Sequence, residues 1–265
     1  MNSMLIITFF VILLIAITMS MVGKGGGNFY VLAMVITGVS MHHAATTSQL
    51  IMMATSVTSM LMFHKNKKVD WKLALVIDPP TDIMAFIGGL VAGNIEGSTL
   101  KLIFAVVLIV VSIFMFLPVK EKPINKIAKF GYWHRNFNGY DYIVNLWLIL
   151  PITAAVGFFA GAVGISGGAF KIPLMVMLCG VPMEIAVGTS SAMVAVTALM
   201  GFSGHMVNGS FDPVYAIPLV VAAVLGGFFG SRFALKSKPK NLKAIFTTTN
   251  LVAGVMMIIN VVIGK

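Results

Sequence analysis

The sequence predicts an all-α polytopic membrane protein made of two inverted-topology repeats of about five transmembrane segments each, with broken or short helices at glycine-rich stretches. Three observations indicate this class: the composition, a series of long apolar runs and an internal repeat. Of the 265 residues, 58% are hydrophobic and only 10% are charged. Because an average soluble domain has roughly 25% charged residues, this chain has too little polar surface for a soluble globule.

Apolar runs of membrane-spanning length occur along the whole chain. Residues 5–22, 102–116, 146–163 and 242–263 are almost free of charge. A transmembrane helix needs about 20 mostly apolar residues. The first run lacks a preceding basic segment and a convincing cleavage site, so we expect a transmembrane helix there and not a signal peptide.

The basic residues are concentrated in short polar segments between the apolar runs. Residues 64–72, 118–140 and 231–243 hold 14 of the 18 Lys and Arg residues. Short loops rich in Lys and Arg mark the cytoplasmic side of a membrane. The net charge of +10 is therefore attributed to topology in the cell membrane, with these loops in the cytoplasm, and no nucleic acid partner is expected.

The two halves of the chain align when the sequence is shifted by about 142 residues, as expected for a duplicated unit. Residues 23–29 correspond to residues 164–170, and Asp70 corresponds to Asp212. Further matches in the same order are residues 39–48 with 181–190, 88–89 with 226–227, and 100–104 with 242–246. This colinear series indicates two copies of one structural unit.

The charges of equivalent loops predict that the two copies are inverted in the membrane. In the first half the loop at residues 64–72 is basic and residues 93–99 are not. In the second half residues 205–212 have no Lys or Arg, whereas residues 231–243 have five. Equivalent loops are thus expected on opposite sides, which requires an odd number of crossings in each half and is common among secondary transporters.

This pattern divides the chain into three parts. We expect a first transmembrane repeat at residues 1–117, a basic amphipathic cytoplasmic linker at 118–140 that lies in the membrane interface, and a second transmembrane repeat at 141–265. The predicted spans are residues 4–23, 28–41, 45–63, 72–92 and 100–117, then 141–163, 169–181, 186–204, 213–231 and 242–263. The spans at 28–41 and 169–181 are shorter than the hydrocarbon core is thick, so half-helices and full crossings are both open for them.

Two glycine-rich stretches, residues 23–27 and 161–168, interrupt the apolar sequence just before a new helix. Irregular backbone at membrane depth is tolerated only when it is buried in protein or lines a watery cavity. The free N–H groups and the macrodipole of a helix start favour an anion, and glycine lets the backbone approach it closely. The predicted anion-binding residues of these stretches are Gly25, Gly26, Gly27, Asn28, Ser166, Gly167 and Gly168, with the Ser166 hydroxyl as a direct ligand.

A second pair of predicted helix starts carries hydroxyl groups at equivalent positions. Ser and Thr are favoured N-caps and can also donate hydrogen bonds to an anion. By pseudo-symmetry, four helix N-termini are expected to converge on one site for a small oxyanion. The alternative is close helix packing through small residues. The candidate residues are Thr46, Thr47, Ser48 and Gln49 in the first half, and Thr189, Ser190 and Ser191 in the second.

Four of the charged residues within or beside the apolar segments are functional candidates. Asp78 and Asp82 are four residues apart and flank Pro79-Pro80. Carboxylates in a span are costly and therefore functional candidates, so one of them is predicted to bind and release a proton during transport. The alternatives are helix capping and pairing with a lysine such as Lys24. Lys24 and Lys171 are candidates for attracting the anion, with snorkelling to the membrane interface as the alternative.

The second-half motif resembles the signature of the TauE/SafE family of sulfite and organosulfonate exporters, also called the 4-toluene sulfonate uptake permease family. The resemblance rests on residues 164–168 followed by Pro173, and on residues 186–190. It implies secondary transport of small sulfur-containing oxyanions or organosulfonates. Two residues depart from the pattern. Ser166 occupies a position where the family usually has glycine, and Leu32 occupies the first-half position that aligns with Pro173.

The sequence carries no motif that indicates an enzyme. It has no nucleophile–base pair, metal constellation or nucleotide-binding motif, and its single cysteine, Cys179, has no intramolecular partner. No cofactor or metal is expected. The expected partners are a small anionic substrate and the lipid bilayer, and monomer and homodimer both remain open. The alternatives to a secondary transporter are an anion channel and a membrane-embedded subunit or enzyme without transport of its own.

Overall fold

The computed structural model describes residues 3–39, 41–91, 130–163, 168–206 and 211–263, with three single residues between 92 and 129. The described chain is mostly helical, and several of its helices are apolar. In chain order the elements are α1 (Ser3–Met21), α2 (Gly27–Ile36), α3 (Met41–Lys65), α4 (Trp71–Val91), β1 (Tyr132–Phe137), β2 (Tyr140–Asn145), α5 (Leu146–Val163), α6 (Gly168–Pro173), a π-helical segment (Leu174–Leu178), α7 (Met183–Met206), α8 (Pro213–Lys236) and α9 (Pro239–Ile263).

Three of the described helices are long and apolar enough to cross a membrane. They are Met4–Met21, Met183–Met200 and Pro213–Lys236, which lie in α1, α7 and α8. Helix α2 has only ten residues, and at about 1.5 Å per residue it is shorter than the hydrocarbon core. The predicted span at residues 100–117 lies outside the described residues, except for single positions.

The chain folds into two compact units, and each contains helices from both predicted repeats. Unit 1 consists of Met1–Val69 and Val187–Lys238, and unit 2 consists of Asp70–Ala186 and Pro239–Lys265. In unit 1, α1 and α3 both pack against α8. In unit 2, α4 packs against α5. The first helix of each predicted repeat therefore contacts the fourth helix of the other.

Glycines bring the backbones of these helices close together. In unit 1, a side chain at Gly226 would collide with Ala16 of α1, and one at Gly227 would press on the backbone of Thr55 in α3. The hydroxyl of Ser20 donates a hydrogen bond to the Gly226 carbonyl at 3.2 Å. In unit 2, a side chain at Gly157 would collide with the backbone of Thr81 in α4. Small residues at helix crossings permit this close approach in membrane proteins.

A two-stranded antiparallel hairpin departs from the all-α prediction. Strands β1 and β2 pair from Tyr132 with Asn145 to Phe137 with Tyr140. Asn138 and Gly139 form the turn with φ of 52° and 80°, the positive values that a two-residue type I′ turn requires. The strands occupy residues that we predicted as linker and as the start of the 141–163 span, so the α5 helix begins only at Leu146. The missed signal was Asn-Gly between aromatic-rich segments.

The hairpin is attached to the start of α4 through Asp70. The Arg135 guanidinium donates two hydrogen bonds to the buried Asp70 carboxylate, at 2.8 and 2.7 Å, and the Tyr142 hydroxyl donates a third. Asp70 Oδ1 also accepts the N–H groups of Lys72 and Leu73, which caps α4. Burial raises the pKa of Asp70, but the hydrogen bonds from Arg135 and Tyr142 outweigh it and hold this pKa below the ordinary 3.8.

The equivalent residue of the second half, Asp212, caps α8 in the same way. Its carboxylate accepts the N–H groups of Val214 and Tyr215. Asp212 is exposed, whereas Asp70 is buried. The two aspartates therefore share the capping function, while the buried bidentate contact with an arginine belongs to Asp70.

We expect Asp70→Asn to destabilise the protein and Asp212→Asn to leave its stability unchanged. Asparagine is as good an N-cap as aspartate, so the difference between the two variants isolates the ion pair. Removing one partner of a buried pair costs about 3–5 kcal/mol, and we expect about 3 because Arg135 is 17% exposed. The measurement is denaturation of the detergent-purified protein at neutral pH.

The same pair predicts a direction for the pH dependence. Because the folded state lowers the pKa of Asp70, its stabilisation is present above the unfolded value and is lost as the pH falls through the folded value. The difference between wild type and Asp70→Asn should therefore shrink below about pH 4. An equal loss of stability in Asp70→Asn and Asp212→Asn would contradict the assignment.

We expect Gly157→Val to lower the melting temperature by several degrees, because the added methyl groups force the α5 backbone away from Thr81. Overpacking of this kind costs about 1–3 kcal/mol. Ala155→Val is the matched control, since Ala155 lies on the exposed side of the same helix. Thermal unfolding monitored by intrinsic fluorescence compares the two variants, and equal melting temperatures would show that this close contact is unimportant.

Candidate functional site

The glycine segment, residues 23–27, joins α1 to α2 inside unit 1. Gly23, Gly25 and Gly26 have φ of 65°, 74° and 81°, in the left-handed region that favours glycine. A side chain at Gly23 would also collide with the Val187 carbonyl oxygen. The segment is buried up to Gly26. The glycines are thus required both by backbone conformation and by close packing.

The backbone N–H groups of the glycine segment are incompletely satisfied. The Lys24 N–H donates to the Met19 carbonyl at 3.2 Å. Within the part of the chain that the structure describes, the N–H groups of Gly25, Gly26 and Gly27 have no hydrogen-bond partner. A buried N–H without a partner is costly, and the dipole of α2 adds positive potential at this end. Three such donors in sequence are suited to the oxygens of an anion.

Two serine hydroxyls hold the glycine segment in place. Ser48 of α3 donates to the Gly27 carbonyl at 2.9 Å, and Ser190 of α7 donates to the Gly23 carbonyl at 2.8 Å. Each hydroxyl has a single proton to donate, and in this arrangement the proton is donated to a backbone carbonyl. Ser48 and Ser190 therefore position the segment, and their predicted contact with substrate stays a prediction.

The other predicted polar residues of unit 1 lie in the same helices. Thr46, Thr47 and Thr189 are buried, and the Ser191 hydroxyl donates to the Val187 carbonyl at 3.0 Å. Gln49 Oε1 is buried and has no hydrogen-bond partner among the described residues. The prediction that these residues stand at helix starts is wrong, because α3 begins at Met41 and α7 at Met183, more than a turn earlier.

Lys24 is buried within the glycine segment, with 5% of its surface exposed. Snorkelling places a lysine ammonium group at an interface, which does not match this degree of burial. The side chain of Asn28 lies outside the described residues, although its backbone forms the first turn of α2. Unit 1 thus combines a buried lysine with three available backbone donors within four consecutive residues.

The corresponding stretch of unit 2 is described only from its last glycine onward. Ser166 and Gly167 lie outside the described residues, so their predicted ligand roles stay predictions. Gly168 is buried and begins α6, which passes directly into the π-helical segment. The Asn250 side chain of α9 donates to the Ala169 carbonyl at 3.3 Å, which ties α9 to the first turn of α6.

A buried ion pair joins α6 to α4 in unit 2. The Lys171 ammonium group donates to the Asp78 carboxylate. Lys171 is 1% exposed and Asp78 is 7% exposed. The structure therefore pairs Asp78 with a lysine, as in the predicted alternative, and that lysine is Lys171. Burial in this pair excludes the snorkelling alternative for Lys171.

Helix α4 is weakened next to Asp78. Pro79 and Pro80 lie inside the helix, and neither can donate the backbone hydrogen bond that closes a helical turn. The Thr81 hydroxyl donates to the Ile77 carbonyl at 3.1 Å. Asp82 is half-buried, one turn beyond Asp78 on the same helix.

The described residues contain no His, Cys, Asp or Glu group suited to a metal ion.

Comparison with known proteins places these features in a family. A sequence profile described as sulfite exporter TauE/SafE matches residues 8–257. The protein named probable membrane transporter protein YunE of Bacillus subtilis is 29% identical over 252 residues, which are 90% of this chain and 92% of that protein. The probable membrane transporter protein YfcA of Escherichia coli K12 is 24% identical over 249 residues, 93% of this chain and 86% of that protein. No solved structure matches the chain.

These matches cover nearly the whole chain, including the glycine segment, the buried ion pair and the helices that carry them. The relatives are named as membrane transporters and not as enzymes. The resemblance inferred from the second-half motif is therefore confirmed. The chain belongs to the TauE/SafE family of membrane transporters.

Proposed function

We propose that this protein is a secondary transporter that moves a small sulfur-containing oxyanion or organosulfonate, such as sulfite or sulfoacetate, across the cell membrane. Transport is coupled to protons or another ion, and the basic loops face the cytoplasm. The observation that supports an anionic substrate is the structure of the glycine segment in unit 1. There, the N–H groups of Gly25, Gly26 and Gly27 follow the buried Lys24 directly.

The physical reason is charge and hydrogen-bond complementarity. A sulfonate or sulfite group presents three oxygens, each of which accepts hydrogen bonds. Backbone donors are already oriented, and a hydrogen bond to a charged group contributes about 1.5–3 kcal/mol. A buried lysine lowers the free-energy cost of moving a negative charge out of water. A neutral substrate would not need this compensating charge. Membership of the TauE/SafE family supports a sulfur-containing substrate among the small anions.

The inverted relation of the two repeats is part of this proposal. Helix α1 packs on α8, and α5 packs on α4. If each repeat is numbered from its first span, both contacts join a first helix to a fourth helix of the other repeat. Asp70 and Asp212 cap equivalent helices. Reciprocal exchange of this kind supports a two-fold relation, which alternating-access transporters use to open to either side.

A ligand screen tests the substrate class. We expect sulfite, thiosulfate, sulfoacetate or another organosulfonate at millimolar concentration to raise the melting temperature of the purified protein, because a ligand that binds only the folded state stabilises it. Sulfate and taurine are further members of the tested class, and small carboxylates are the comparison ligands. Absence of any shift with all sulfur oxyanions would remove the basis of the proposal.

Uptake into proteoliposomes then separates a carrier from a channel. Saturation of the initial rate with anion concentration is expected for a carrier. Flux that rises linearly over the same range would instead identify an anion channel. Absence of flux with retained binding would identify a membrane-embedded subunit without transport of its own.

We expect Lys24→Met to weaken anion binding by at least about tenfold, because a charge-assisted contact is lost from a buried position. Lys65→Met is the matched control, since Lys65 lies exposed at the end of α3 in the same unit. Titration of the anion against intrinsic fluorescence provides both dissociation constants. Equal affinities in the two variants would exclude Lys24 from the site.

A further inference from the structure

We propose that Lys171 binds the transported anion and that its counter-charge alternates between the Asp78 carboxylate and this anion, so that one proton moves with each anion. This inference rests on the proposed function and adds a second position that holds the anion, Lys171 within unit 2, together with a mechanism of coupling. It follows from the burial of the pair, from the charges around it and from the backbone on either side.

The first step is the electrostatic balance of the pair. Lys171 and Asp78 are both buried among apolar helices. Breaking such a pair by removing one partner leaves an uncompensated charge in a medium that solvates it poorly. Lys171 therefore needs one negative charge close to its ammonium group in every state of the protein. An anion can replace Asp78 in this role only when the Asp78 carboxylate becomes neutral.

The neighbouring helices leave few other groups to supply that balance. On α4, Asp82 is the other carboxylate within one turn of Asp78. Helix α5, which packs along α4, has no titratable residue. On α9, Lys240 and Lys243 lie in the first turns, and the side chain that contacts α6 is the neutral Asn250. The Asp78 carboxylate thus contacts Lys171 directly, and Asp82 is the other carboxylate of α4 that the test must distinguish from it.

The exchange conserves charge at every step. A proton from water binds the Asp78 carboxylate, and the hydrogen bond from the Lys171 ammonium group passes from Asp78 to an oxygen of the arriving anion. When the anion leaves on the other side, Asp78 releases its proton there, and its carboxylate again accepts the hydrogen bond from the Lys171 ammonium group. A proton and an anion therefore enter together and leave together. For a monovalent anion the whole cycle is electroneutral.

The backbone on both sides of the pair is suited to such an exchange. Pro79 and Pro80 remove two hydrogen bonds from α4 directly after Asp78. On the other side, α6 ends at Pro173 and continues as the π-helical segment from Leu174. Single π-turns within helices are frequent at functional sites. The two helices can thus separate locally without breaking a regular hydrogen-bond ladder.

The test is proton counting in proteoliposomes that contain the full-length protein and an entrapped pH-sensitive dye. The probe is methanesulfonate, whose single charge does not titrate in the range used. We expect methanesulfonate uptake to acidify the lumen by about one proton per anion, and clamping the membrane potential to zero should not change the rate. Uptake without acidification would overturn the inference while leaving transport itself intact. Absence of uptake and of binding would overturn both.

Variants of the pair assign the proton. In Asp78→Asn the amide cannot release a proton, so net uptake with acidification should fall at least about tenfold. Exchange of internal for external methanesulfonate should persist, because Lys171 then faces the anion without a competing carboxylate. Asp141→Asn is the control, since Asp141 is exposed on β2 of the same unit. Persistent one-to-one acidification in Asp78→Asn, or its loss in Asp82→Asn alone, would overturn the assignment.

The role of Lys171 is tested in a neutral background. Lys171→Met alone leaves Asp78 unpaired and can fail to fold, whereas the double variant Asp78→Asn/Lys171→Met removes both charges, a change that is often neutral for stability. We expect the double variant to unfold cooperatively like wild type and to bind methanesulfonate at least about tenfold more weakly than Asp78→Asn. Equal binding by the single Asp78→Asn variant and the double variant would overturn the assignment of Lys171.

Discussion

Polar groups between apolar helices must find their partners inside the protein, because lipid offers no hydrogen bonds. Many hydroxyl groups of the described helices follow this constraint. The hydroxyls of Thr55 and Ser59 donate to carbonyls one turn earlier on α3. The Tyr30 hydroxyl lies within hydrogen-bond distance of the Thr55 hydroxyl, at 3.1 Å. The same constraint applies with greater force to charge, and it brings Lys171 to Asp78. Groups without a partner among the described residues, such as the N–H donors of Gly25 to Gly27, are therefore where a ligand is expected.

Close helix contacts make these internal partnerships possible. Glycine at 226 and 227 lets α8 approach α1 and α3 until hydroxyls on the neighbouring helices reach its carbonyls. Gly157 has the same effect between α5 and α4. Packing and function are thus not alternatives for the glycine-rich stretches. In the glycine segment the same residues allow tight contacts and a left-handed backbone. Within the described part of the chain, three N–H groups of this segment have no hydrogen-bond acceptor.

Parts of the site could be predicted because they depend on neighbouring residues. The glycine-rich break before α2 follows from local conformational preference, and the caps at Asp70 and Asp212 follow from residue type at a helix start. The Thr and Ser residues predict later starts for α3 and α7 because they are typical helix caps, but the helices begin at Met41 and Met183. The basic, aromatic composition of residues 118–140 predicts an amphipathic linker, whereas the turn at Asn138-Gly139 closes a hairpin there. Its anchor, Arg135 on Asp70, joins residues distant in sequence.

The sequence by itself determined the membrane class, the family and the positions of the glycine-rich breaks. These properties depend on composition and on local spacing, which are present in the chain before it folds. Only the tertiary structure decided which partner each polar group receives. Ser190 reaches Gly23, and Lys171 reaches Asp78, across 167 and 93 residues. Such pairings depend on which helices pack together, and many pairings of these residues satisfy the same hydropathy pattern.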